Sequence, residues 1–331
     1  MNRQIVSSIL MLFFITAQSV TNTAHSQSPF KNWLSLKNQS HPLTGKIWST
    51  VDKKFISANE LVSRLAIRNY ILMGETHDNA DHHRLHAWLI GKVVRYDRKP
   101  KIVMEMIRED QAQALKSYMS RVRSKKQPKP AENLGPALQW NEKWGYDWKI
   151  YQPIASAAFA GRLTIKAGSA SKEAEAKFKK SSFFNGMTAQ ERRRLGVDEK
   201  FSLSVLNSLK DEMNKSHCNA LPYSALQSMS HVQRYRDAIL ADNLIKAARP
   251  FGSVLIAGNG HIRNDRGVPY YIARRIKNAS MITLAMQEVS SDQKTPGDYL
   301  PATAGTKPVY DYIWFTPAQS RKDPCLAFKK K

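Results

Sequence analysis

Residues 57–68 place Leu61, Val62, Leu65 and Ala66 on one side of a helical repeat, which predicts a helix. The apolar run Tyr70-Ile71-Leu72-Met73 follows and stops at Gly74, as a short buried strand does. A second helix is expected from Asn79 or Asp81 to Tyr96, with Leu85, Trp88, Leu89, Val93 and Val94 at helical spacing. Ile102-Val103-Met104 reads as a second buried strand that ends on Glu105-Met106, and a helix should begin at Asp110. Residues 163–167 form a third strand ending at Gly168, and residues 254–257 a fourth ending at Gly258. Residues 281–286 and 310–315 supply two more. Apolar strands alternating with helices predict an α/β fold, a mainly parallel central sheet with helices on both faces.

Between the third and fourth strands, residues 171–250 keep a helical pattern and show no strand, so an all-helical insertion, a small helical subdomain, is expected to cap the sheet. Residues 125–130 and 292–308, rich in Pro, Lys, Thr and Gly, read as loops. Ahead of this domain Arg3 precedes an apolar run over residues 5–20 and the small-x-small pattern Ala24-His25-Ser26. That arrangement predicts a signal peptide over residues 1–26, cleaved to leave residues 27–331 as a soluble periplasmic domain. Neither cysteine, Cys218 or Cys325, lies where a lipid-modified cysteine would have to sit, so a lipoprotein is not expected. In an exported chain the pair permits one disulfide, and sequence leaves open whether the thiols meet.

With 51 basic against 27 acidic residues the net charge is +24. The surplus suits an anionic ligand, an anionic membrane face or nucleic acid. Its basic groups are scattered and lack the interleaved aromatics of a stacking platform, so nucleic acid is not the expected partner.

In open parallel sheets ligands bind outside the carboxyl ends of the strands. Glu75 and His77 follow the first strand, Glu105 ends the second and His261 follows the fourth, so the four should converge on one edge. Two carboxylates and two imidazoles suit a divalent metal, an acid–base pair or polar anchoring of a ligand. The glycines of Gly258-Asn259-Gly260-His261 favour positive backbone angles and a tight strand exit. His82 and His86 have the i,i+4 spacing of a metal pair but lack the usual adjoining Glu, and with His83 they read as a solvated face or pocket rim. Residues 144–151 concentrate Trp144, Tyr146, Trp148 and Tyr151, either as core or as a wall against a flat ligand.

These residues resemble the ChaN-like haem-binding uptake family of the Tiki and erythromycin-esterase-like superfamily. The likeness is carried by Gly74-Glu75-Thr76-His77-Asp78-Asn79 with His82-His83, by Glu105-Met106, and by residues 144–151 with Pro153-Ile154. It continues through His217-Cys218 with Leu221-Pro222, Gln233-Arg234-x-Arg236-Asp237, and residues 258–269. The resemblance implies a parallel-sheet domain with a small helical domain that binds iron-porphyrin, in some members as pairs between two protomers with a tyrosine on iron. Departures stand at Ala167-Gly168-Ser169-Ala170, where many members carry Asn-Leu-Pro-Arg, and at Asn219, where glycine is common.

Haem is a flat apolar plate with two carboxylates, so it needs apolar walls, a basic rim and an axial ligand. The helical insertion offers Tyr223, His217 and His231 as ligands, Tyr223 first, with Arg234, Arg236 and Lys215 for the propionates. The leading expectation is a periplasmic haem-binding protein serving haem or iron uptake. It would bind haem on the helical subdomain, form a homodimer on haem binding, and meet haem-transport components of the outer membrane or periplasm. The alternative is a metal-dependent hydrolase holding a divalent metal with Glu75, His77, Glu105 and His261, in which Glu75 or Glu105 is the base. A third reading, a binder of envelope polyanions, rests on charge alone.

Overall fold

The computed structural model describes residues 29–327 except 31, 181–182, 184, 198–200 and 302–306, so the expected leader over residues 1–26 falls outside them. Two short strands, β1 (Ile47–Ser49) and β2 (Lys54–Ile56), precede α1 (Ala58–Ala66). β3 (Tyr70–Glu75) leads through α2 (Ala80–Val94) to β4 (Lys101–Arg108). The helices α3 (Ala112–Arg123), α4 (Pro130–Ala137), α5 (Trp140–Trp144) and α6 (Trp148–Ala160) connect β4 to β5 (Ile165–Ser169). Next come α7 (Lys172–Lys180), α8 (Ala189–Leu195), α9 (Leu203–Ser216) and α10 (Tyr223–Ala247), with no strand among the described residues before β6 (Ser253–Gly258). α11 (Val268–Arg275), β7 (Met281–Glu288) and β8 (Tyr312–Thr316) complete the domain.

The strands form one sheet in the order β2-β1-β8-β7-β3-β6-β4-β5. From β8 to β5 every neighbouring pair is parallel, and only the β1–β2 hairpin and its junction with β8 are antiparallel. The expected mainly parallel sheet is therefore present, with an antiparallel edge that the sequence patterning did not announce. Every residue of β3 and β6 is buried, because helices cover both faces. Ile71, Met73, Ile102 and Met104 pack under α1, α2 and α6 with Leu61, Leu89 and Ile154. Their alternates Tyr70, Leu72 and Val103 face the other way, against Leu240 and Leu244 of α10 and Tyr271 of α11. Burying one such aliphatic side chain stabilises by about 1.5–3 kcal/mol. This alternation decides which helix each strand-end side chain meets.

Short polar residues start the helices that approach the strand ends. Ser57, Asn79 and Asp147 accept the backbone N–H groups of Glu60, Asp81 and Lys149, at the starts of α1, α2 and α6. The two cysteines do meet: Cys218, after α9, is bonded to Cys325 with their Cα atoms 5.5 Å apart. No helix of the described residues is long and apolar enough to cross a membrane.

Candidate functional site

Glu75 ends β3 on the α2 and α6 face, where its alternation with Met73 puts it, and it is buried. Its Oε1 accepts a 2.7 Å bond from the Tyr151 hydroxyl and lies 3.0 Å from His77 Nδ1. Its Oε2 lies 3.3 Å from His83 Nε2 and 3.5 Å from His86 Nδ1. The other nitrogen of His86 is 3.1 Å from the Gly74 carbonyl, an acceptor only, so that nitrogen carries a hydrogen. Burial alone would raise the Glu75 carboxyl, but the imidazoles of His83, His77 and His86 outweigh it and hold the group well below its usual value. Burial and the neighbouring Glu75 push the Tyr151 phenol far up, so it stays a donor.

His82, His83 and His86 are all fully buried, which corrects the expectation of a solvated face or rim. Because α2 begins five residues beyond β3, its first turns lie over the strand end, and their polar side chains face Glu75 and β8 instead of water. His82 shows the consequence. Its Nδ1 accepts the Thr76 N–H at 2.9 Å, which leaves Nε2 to donate to the Thr316 hydroxyl at 2.8 Å. Burial holds its ring well below its usual value, so this neutral ring pins the strand exit to β8.

Glu105 enters from the opposite face. It lies inside β4, which shifts register against β5 between Met104 and Arg108 and runs beyond the expected end. Its Oε1 is 2.5 Å from Arg236 Nη2 and 3.1 Å from His261 Nε2, and its Oε2 accepts the Gly258 N–H at 2.8 Å. His261 Nδ1 is 2.5 Å from Asp237 on α10 and 3.0 Å from the Gln233 amide. Burial opposes ionisation of Glu105, yet the charges of His261 and Arg236 hold it far below the carboxylate range. Burial also works against the His261 cation, but Glu105 and Asp237 push it up to about 9.

His77 sits between the two carboxylates. A Cβ on Gly258 would stand 3.0 Å from its Nε2 and 3.8 Å from Glu105 Oε2, so the missing side chain makes room for the imidazole. The expectation of positive backbone angles in this turn is corrected: Gly258 has φ −57°, and Gly260 is not among the positive-φ glycines. Space, not backbone handedness, requires glycine at 258. Burial lowers the His77 ring, but Glu75 and Glu105 together raise it.

The structure thus brings Glu75, His77, Glu105 and His261 together, with the carboxylates arriving from opposite sides of the sheet. Among the described residues no group of three or more His, Cys, Asp or Glu side chains is arranged to hold a metal ion. Sequence reasoning missed Tyr151, Asp237 and Arg236 as bracing partners of this cluster. The signal for the last two was their position in Gln233-Arg234-x-Arg236-Asp237, read for haem and not for the strand ends. The aromatic run divides: Trp140, Trp148 and Tyr151 are core, whereas the rings of Trp144 and Tyr146 stand 5.0 and 5.8 Å from His77.

The residues expected to hold haem lie along α9 and α10. Tyr223 opens α10 and is 68% exposed, and its hydroxyl oxygen lies 2.7 Å from Lys210 Nζ. His217 closes α9, with Nδ1 2.7 Å from the Met213 carbonyl, and His231 lies two turns along α10, beside Gln227. Arg234 is buried, with its guanidinium 3.8 Å from the Phe183 ring and 4.3 Å from that of Phe201. Arg236 is committed to Glu105. The propionate role expected of these two arginines therefore finds both engaged away from Tyr223.

The family described as haem-binding uptake, Tiki superfamily, ChaN matches residues 61–272. Among solved structures, one described as cofacial haem binding to ChaN of Campylobacter jejuni has 20% identity and a TM-score of 0.62, covering 81% of this chain and 95% of that chain. A variant of the erythromycin esterase EreC in its open conformation has 14% identity and a TM-score of 0.42, covering 90% of this chain and 86% of that one. The type III effector HopBA1 has 10% identity and a TM-score of 0.40, covering 78% and 92%. Only the first is near enough to bear on the fold, which it shares. No curated protein matches the chain.

Proposed function

Since the chain belongs to the ChaN haem-binding uptake family of the Tiki superfamily, we propose that it binds haem and serves haem or iron uptake. The observation that carries this reading is the family match over residues 61–272, which takes in both strand-end loops and the helices between β5 and β6. Two features support the α9 and α10 region as the haem surface. Tyr223 presents a hard oxygen, suited to ferric iron, at the exposed start of a helix. Lys215, exposed in the last turn of α9, supplies a cation for a propionate in place of Arg234 and Arg236, whereas Lys210 is buried against Tyr223 and Gln227. His217 and His231 are the other ligands within this region.

The Campylobacter jejuni protein is described as binding haem cofacially. We carry that arrangement over as a proposal: haem pairs enclosed by two copies of this chain, so that haem drives dimerisation by mass action. The leader pattern over residues 1–26 supports a periplasmic site of action, with haem-transport components as partners. The strand-end cluster then acts as a braced polar support. A divalent metal and the hydrolase reading have less behind them, because Glu105 and His261 already satisfy Arg236, Gly258 and Asp237.

The test of placement is a haemin titration of wild type and Tyr223→Phe, followed by absorption and by sedimentation. Loss of the tyrosinate-type ferric spectrum in the variant, with haem-dependent dimers in wild type, supports the proposal. An unchanged spectrum in the variant, or a bis-histidine low-spin spectrum in wild type, moves the ligand to His217 or His231. A monomer at saturating haem removes the pairing.

A further inference from the structure

In a parallel sheet, every connection from a helix back into a strand lies at the same end, beneath the amino ends of the strands. Here that end is opposite to Glu75, Glu105 and His261. Three adjacent central strands, β3, β6 and β4, are entered through the loops at 67–69, 248–252 and 95–100. Each loop exposes one large apolar side chain: Ile67 is 71% exposed, Phe251 52% and Tyr96 51%. Arg98 ties the three loops into one surface. Its Nη1 donates to the carbonyls of Ala66 and Arg68, each at 2.5 Å, and its Nη2 to that of Phe251 at 2.9 Å. The Ser253 N–H adds a 2.8 Å bond to the Asn69 carbonyl.

Around this apolar triad the charge is almost all of one sign. Arg95, Lys99 and Arg249 are exposed in the same loops, and Arg162 and Lys277 in the loops that enter β5 and β7. Among the described residues none of the five takes part in an ion pair, and Asp97 is the single acid across these loops. Scattered exposed apolar side chains need no explanation, but three on bonded neighbouring loops inside a ring of unpaired cations do. Coulomb attraction holds such a ring to an acidic surface, while side chains like Ile67 and Phe251 gain only if they enter an apolar phase, and Tyr96 suits the boundary between them.

We propose that this end of the sheet is a docking face for a bilayer rich in acidic phospholipid, which holds the protein peripherally with its strand-end site turned away from the membrane. A soluble polyanion would account for the cations and leave Ile67 and Phe251 unexplained. This inference does not depend on haem.

Flotation of the exported chain, as recovered from cells, with phosphatidylglycerol-containing and pure phosphatidylcholine vesicles tests it. Binding to the acidic vesicles alone, weakened by salt, is expected. Arg95→Ser, Lys99→Ser and Arg249→Ser should each reduce partition by roughly fivefold. Ile67→Ser with Phe251→Ser should reduce it further, while Lys294→Ser, beyond the other end of the sheet, leaves it unchanged. Far-ultraviolet dichroism and urea unfolding establish that each variant is folded. No binding to acidic vesicles, equal binding to neutral ones, or partition that the Ile67 and Phe251 substitutions leave untouched would overturn the proposal. Capture by polyphosphate or an acidic protein, insensitive to those two substitutions, would also overturn it and assign that partner to the cations.

Discussion

Replacing His261 by glutamine removes the one imidazole that stands between Glu105 and Asp237. The ring is buried, and its two carboxylate neighbours raise it from 6.5 to about 9. The folded state therefore binds this proton more tightly than the unfolded chain does, and the resulting stability is complete below about pH 6.5 and fades as pH rises through about 9. A rise of about 2.5 units at about 1.36 kcal/mol each amounts to about 3 kcal/mol. Glu105 works in the opposite sense: its folded value is depressed below 4.5, so its contribution is present above that value and is lost as pH falls. Removing one partner of a buried charge pair costs about 3–5 kcal/mol, so His261→Gln should be less stable than wild type by that amount at pH 6. The deficit should narrow by about 3 kcal/mol at pH 10, because wild type has by then lost the same term. Urea unfolding of both proteins at pH 6, 8 and 10, fitted with a common slope, measures it. A deficit that stays constant across this range would refute the reasoning, since His261 would then contribute packing and no linked proton.

Other outcomes follow from the same contacts. Tyr151→Phe removes the donor to Glu75 Oε1 inside the core, and urea midpoints should show a loss of about 1–3 kcal/mol without a change of fold by dichroism. Cys218→Ser opens a link between residues 107 apart in sequence, which the chain-entropy account values at about 4–5 kcal/mol; a fall in thermal midpoint of several degrees in the oxidised protein, absent under reducing conditions, checks it. Gly258→Ala puts a methyl 3.0 Å from His77 Nε2, and the His77 ring resonances should shift while those of His82 stay in place.

The central strands were legible because their residues are apolar on both faces, and Tyr70 to Met73 or Val254 to Ala257 allow little else. β1 and β2 were not legible, since three residues each carry too little period to read. Helix α6 was missed for another reason: Trp148 and Tyr151 were read as core or as a ligand wall with no helix assigned to them, although one turn of helix places both on the buried face beneath α4 and α2. The meeting of Glu75, His77, Glu105 and His261 followed from strand ends and parallel topology. Which helix braces which carboxylate did not, because that depends on the side of the sheet each residue faces, set by register within the strand. The burial of His82, His83 and His86 was hidden likewise: helical spacing marks a shared face but not whether water or a strand end lies against it.

The central claim is that this chain binds haem, and the most direct measurement is titration of the purified protein with ferric haemin, followed by its Soret absorption. The account predicts a shifted Soret band that grows linearly and saturates at a fixed ratio of haem to chain. A spectrum that remains that of free haemin throughout, or absorbance that rises without saturating, would contradict it.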